Sequence, residues 1–131
     1  MALDIASSVI LENTTAFWSG VLKDQTGAVI PSSALSALKL THMVHDTSVL
    51  PYAVINTRNQ QNVLNTNNVT VDGAGLVTWE MLPVDNIIVD TTLTHAQQEG
   101  HVSILEFEWN AGARKGKHVI NTVITQLERM P

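Results

Sequence analysis

Apolar residues recur at every second position through most of this chain, and short β-branched runs end at turn residues, a pattern that predicts strands rather than helices. Thr15 to Leu22 reads as a first strand, closed by the turn KDQTGAVIP. Leu38 to Asp46 reads as a second, with Leu38, Leu40 and Val44 on one face and Lys39, Thr41 and His45 on the other. Tyr52 to Asn56 makes a short third strand. Val69-Thr70-Val71 and Leu76 to Met81 form a hairpin about Asp72-Gly73-Ala74-Gly75, with Val77, Trp79 and Met81 inward. In HVSILEFEWN, Leu105, Phe107 and Trp109 oppose Glu106 and Glu108; NAGARKGK then turns the chain into a last strand, HVINTVITQL. Only SSALSALKL offers helical spacing, through Ala34, Leu35 and Leu38, and it lasts barely two turns.

Short strands separated by regular turn signals describe an all-β protein. The expected fold is an immunoglobulin-like antiparallel β-sandwich of about seven strands, with a jelly roll as the alternative. Residues 1–13 precede the first convincing strand and carry Leu3, Ile5, Val9, Ile10 and Leu11. That stretch is too apolar for a solvated tail, so it is expected to be an N-terminal arm that buries these side chains on a partner, ahead of one domain over 14–131. Trp79 and Trp109 alternate in phase with the core. Phe17 and Trp18 point to opposite faces, one of them outward, and Trp18 is taken as the candidate for partner contact.

Composition narrows the function classes. A chain of 131 residues is one domain by length and long enough to bury its own core. It has no cysteine, so disulfides, thiolate metal sites and thiol nucleophiles are excluded. Its formal net charge of −5, with only 15% charged residues, opposes nucleic-acid binding, which needs a basic stripe. The first residues lack a basic segment, and Val9-Ile10-Leu11 is too short to span a membrane, so synthesis in the cytoplasm is expected, without membrane partners. The glycosylation patterns at Asn13-Thr14-Thr15 and Asn68-Val69-Thr70 then carry no meaning.

Candidate chemistry is sparse. His42, His45 and Asp46 lie close in sequence, but a spacing of three on a strand sends the two histidines to opposite faces. His95 and His101 flank a loop containing Glu99, a weak zinc set. Arg114, Lys115 and Lys117, ahead of His118, form the only basic cluster, suited to a carboxylate or phosphate on a partner. Glu106 and Glu108 have a spacing that fits loosely with paired glycosidase carboxylates, but an outward strand face gives neither a cleft nor desolvation. No nucleophile elbow, phosphate loop or dinucleotide fingerprint is present. The expectation is a non-enzymatic protein without metal or cofactor.

The least core-like stretch is NTRNQQNVLNTNN, from Asn56 to Asn68, where Val63 and Leu64 are the only large apolar residues. A polar loop this long suggests function. Its amides offer donors and acceptors without a charge to desolvate. Asn59, Gln60, Gln61, Asn62, Asn65 and Asn67 are therefore candidate partner-binding residues, beside Trp18 and the arm. The competing reading is a hydrated crossover between sheets, pinned by Val63 and Leu64.

GAVIPSSALSALKLT, INTRNQQNVLNTNNVTVDGAGLVTW, PVDNIIVD and GHVSILEFEWNAGARKGKHVINTVI together resemble small immunoglobulin-like virion proteins of tailed bacteriophages, over about Thr15 to Leu127. The resemblance lies in strands and turns, with no catalytic residues to match. It implies a virion structural protein made in the host bacterial cytoplasm. The role expected first is capsid decoration or cementing, in many copies or as a homo-oligomer bound to the major capsid protein. A tail, neck or baseplate component is the second. A carbohydrate-binding module or adhesin, stacking sugars on Trp18 or Tyr52, is the reading from another class.

Overall fold

In the computed structural model, residues 4–5, 10–45, 53–89, 92–93 and 97–126 are described. Among them the alternating pattern becomes nine strands: β1 (Asp4–Ile5), β2 (Ile10–Leu11), β3 (Ala16–Val21), β4 (Leu35–Val44), β5 (Gln61–Asn62), β6 (Val69–Val71), β7 (Leu76–Met81), β8 (Gln98–Trp109) and β9 (Arg114–Thr125). The larger sheet runs β1-β9-β8-β4-β5, with β2 also on β9, and the smaller runs β3-β7-β6. In immunoglobulin lettering, β3, β7 and β6 stand at B, E and D, while β5, β4, β8 and β9 stand at C′, C, F and G. This order is the immunoglobulin one, and it replaces the jelly roll.

The inward faces meet in one core. Leu38 and Leu40 of β4, Leu105 and Phe107 of β8, and Ile120 and Ile124 of β9 face Trp18 of β3 and Val77, Trp79 and Met81 of β7. Trp18 lies directly opposite Trp79 in the antiparallel register. Trp109 is only half-buried at the end of β8, stacked on Phe107 with ring centroids 5.6 Å apart. Val44, expected in the core, is half-buried as well. The β8–β9 turn is tight because Asn110, Ala111 and Gly112 all take positive φ, of 55°, 54° and 84°.

Several expectations change. Within SSALSALKL, Ser32–Ala34 is a single 3-10 turn, and the strand begins at Leu35. A β-bulge between Leu35 and Ala37 shifts the phase, so Leu35 and Leu38 are both buried although three residues apart. A bulge adds one residue to the period of two, and the resulting spacing imitates a helix. The third strand reduces to one bridge, Met43 to Val54, while Tyr52 and Asp46 lie outside the described residues. The N-terminal segment is laid along the sheet: β1 and β2 both pair in parallel with β9, Asp4 with Ile120 and Ile10 with Ile124. Ile10 enters the core, so it is not available to a partner; Leu11, its neighbour on the other face, is exposed.

Candidate interaction surface and buried polar cluster

The amide-rich segment is explained first by its backbone. Asn56, Thr57, Gln60, Asn65, Asn67 and Asn68 all have positive φ, between 50° and 69°. Asparagine is the side chain that, after glycine, best tolerates this left-handed region. The side chains then bond the loop to itself. Asn65 Oδ1 accepts from Val71 N–H at 2.8 Å, Asn62 Oδ1 from Leu64 N–H at 3.2 Å, and Asn67 Nδ2 donates to the Asn62 carbonyl at 2.8 Å. Val63 is buried, its N–H donating to the Leu38 carbonyl at 2.9 Å, and Leu64 packs partly against the core. The pinned crossover is thus present, and it leaves an outward surface: Asn59, Gln60, Asn62, Asn65 and Asn67 are exposed, while Gln61 is half-buried.

The anchor of this loop is its one charged residue. Arg58 is 2% exposed, with Nε donating to Asp85 Oδ1 at 2.6 Å and Nη2 to Asp85 Oδ2 at 3.1 Å. Its Nη1 donates to Gln61 Oε1 at 2.7 Å and to the Asn67 carbonyl at 3.2 Å, so one guanidinium ties both halves of the loop to the interior. The guanidinium also stands over the Trp79 ring, 5.6 Å from its centroid. Asp85 sits on the 3-10 turn Pro83–Asn86 and accepts in addition from Asn56 Nδ2 and Leu82 N–H, each at 2.9 Å. Burial alone would raise the Asp85 carboxyl, but the Arg58 bonds and these two donors outweigh it and hold it below the ordinary 3.8. Neither Arg58 nor Asp85 stands out from the sequence; the signal is a lone charge in an otherwise uncharged strip.

Beside this pair lies a set of buried histidines. His42 shares its strand face with Leu38 and Leu40, and its Nε2 lies 2.7 Å from the Asp85 carbonyl oxygen. A carbonyl only accepts, so Nε2 carries the hydrogen and Nδ1 accepts from the Ser103 hydroxyl at 2.7 Å. Burial drives the His42 pKa from 6.5 down to about 4, against the opposing pull of the Asp85 carbonyl and carboxylate. The ring of His101 stands edge-on to that of His42 at 5.3 Å, and its Nε2 bonds Glu99 Oε1 at 2.8 Å. Glu99 Oε1 also accepts from Val89 N–H at 2.9 Å.

A serine hydroxyl on an imidazole resembles a nucleophile and its base. Here both side chains are fully buried, and the second imidazole nitrogen meets a backbone carbonyl instead of an orienting carboxylate. The geometry therefore locks β4 to β8 and to the Pro83–Asn86 turn, and offers no access for a substrate. Among the described residues no three His, Asp or Glu side chains are placed to hold a metal ion. Glu99 and His101 do meet, as their spacing suggested, while His95 lies outside the described residues.

The remaining candidates lie apart from this buried cluster. Trp18 is buried against Trp79, and the residue of that pair facing outward is Phe17, which is 70% exposed. Trp18 is therefore removed as a partner contact. Leu3 and Val9 lie outside the described residues, and Ile5 is placed by its pairing with Asn121. Glu106 lies between Lys39 and Lys117 in the register and Glu108 opposite Lys115, a ladder of alternating charge in which the glutamates are half-buried and the lysines exposed. Arg114 lies on the other strand face, yet Arg114, Lys115 and Lys117 all border, together with Lys23, a cleft of about 750 Å³ between the start of β9 and the loop from Lys23 to Gly27, lined also by Phe107 and Trp109. No protein-family model, curated protein or solved structure matches the chain.

Proposed function

We propose that this chain is a non-enzymatic structural protein of a tailed-bacteriophage particle, a capsid decoration or cement protein that binds the major capsid protein in many copies. The observation that carries this reading is the fixed loop of residues 56–68, which presents uncharged amides outward from an anchor buried in the core. A contact surface ordered before binding loses less entropy on association, which suits a protein whose task is to hold a surface. The immunoglobulin-like strand order agrees with the fold that the sequence resemblance implies. The His42–Ser103 pair, the arrangement nearest to catalytic chemistry, is enclosed. A tail, neck or baseplate role would use the same surface. A sugar-stacking role loses Trp18, which is inside.

Copy number on purified particles tests the reading. A decoration protein is expected in hundreds of copies per particle, and a tail or neck component in a few to some dozens. Absence from the particle refutes both. Replacing Asn59 and Gln60 together with lysine is expected to lower occupancy while leaving the melting temperature within a few degrees, because both side chains are exposed.

A further inference from the structure

β3 is an open edge of the smaller sheet. Its pairing with β7 is regular from Ala16 opposite Met81 to Val21 opposite Leu76, and the next residue, Leu22, donates its N–H to the Gly75 carbonyl at 3.2 Å. Antiparallel pairs alternate between hydrogen-bonded and non-bonded. Because the Leu22 pair is bonded, Gly20, Trp18 and Ala16 direct their backbone groups toward β7. Val21, Ser19 and Phe17 direct theirs away from it, to a side where no described strand lies. The same three residues carry the outward side chains: Phe17 is 70% exposed, Val21 37%, and Ser19 is exposed.

Open edges are ordinarily blunted by lysine, proline, a bulge or shortness. The other described edges are short: β5 and β6 have two and three residues, and the β1–β2 edge comes in two-residue pieces. β3 has six, Ala-Phe-Trp-Ser-Gly-Val, with no charge, no proline and an unbroken register.

We infer that β3 pairs with β3 of a second copy, antiparallel about a two-fold axis through Ser19. In that register Phe17 meets Val21 of the second copy, Ser19 meets Ser19, and Val21 meets Phe17. All three are positions whose N–H and C=O are free, so each pair exchanges two backbone hydrogen bonds. Across the outer face, Leu76, Val21, then Phe17 and Glu80 of the second copy fall in one row, and Thr78 and Ser19 meet their equivalents in the next. The exposed ring gains an apolar neighbour, and the Glu80 side chains fall in different rows, so no like charges are opposed. A foreign strand could use the same backbone groups, but the self-match of side chains and the isologous symmetry favour a second copy. A contact limited to one strand edge falls below the roughly 1,200 Å² of a stable interface, so the dimer is weak and depends on concentration. It does not rest on the particle reading.

The test uses the full chain. In sedimentation equilibrium, the mass is expected to rise from that of one copy toward two as concentration increases. Over the same range the amides of Phe17, Ser19 and Val21 should become slow to exchange with deuterium, while those of Trp18 and Gly20 are slow throughout. Ser19→Lys places two like charges across the axis, as does Ser19→Asp, so each variant alone should associate at least tenfold more weakly. An equimolar mixture of the two should regain association, a result that only pairing through Ser19 produces. Both keep the fold because Ser19 is exposed, which an unchanged melting temperature checks. A protein that stays monomeric at all concentrations overturns the inference. So does a dimer indifferent to Ser19→Lys, or protection of the three amides that arises only when particles are added.

Discussion

At the scale of single residues, the buried Arg58–Asp85 pair is held by several hydrogen bonds, and such a pair responds sharply to removal of one partner. Arg58→Ala leaves the Asp85 carboxylate buried without its cation and frees both halves of the loop. The expected loss is about 3–5 kcal/mol by urea unfolding. His42 gives a second handle. In the unfolded chain its imidazole takes up a proton as pH falls through 6.5, whereas in the folded protein it does so only near 4. The unfolded state binds more protons in that window, so the His42 contribution is full above pH 6.5 and is lost progressively toward pH 4, by about 3 kcal/mol. Asp85, held below 3.8, acts in the same direction at lower pH: its contribution is present above that value and lost as its folded carboxyl protonates. Unfolding measured at steps from about pH 7.5 to about pH 4.5 is expected to show this slope. The slope should be shallower in His42→Gln, whose amide can serve both Ser103 and the Asp85 carbonyl without titrating.

At the scale of elements, the strands show which signals local sequence carries. The β7 and β8 faces were legible because Val77, Trp79, Met81, Leu105 and Phe107 alternate without interruption, and burial follows that alternation. β4 was less so, since its bulge lets Leu35 and Leu38 mimic helical spacing. The Asn56–Asn68 strip was readable as a loop, but its left-handed backbone needs knowledge of where the chain turns, and its anchor pairs Arg58 with a carboxylate 27 positions away. Long-range pairings of this kind leave no local period. The N-terminal segment departs from the expected arm for a related reason: parallel pairing with β9, distant in sequence, is invisible to a local pattern. Ile10→Ala is accordingly expected to cost about 2–4 kcal/mol in the isolated domain, because the side chain is buried among core residues. An arm free of the sandwich would show no loss.

At the scale of the whole molecule, the first and last described strands lie side by side and run the same way. Tension applied through the two chain ends therefore pulls β2 and β9 in opposite directions along their length. The parallel pairing of β1 and β2 with β9, in register at Asp4–Ile120, Ile5–Asn121, Ile10–Ile124 and Leu11–Thr125, shares that load, so its backbone bonds must yield together. A hairpin such as β8–β9, opened from its free ends, surrenders its bonds one after another. The parallel seam thus behaves as a clasp in shear, strong along the axis that joins the ends and weak against peeling, so the sandwich resists stretching most in the direction in which a tethered domain is pulled.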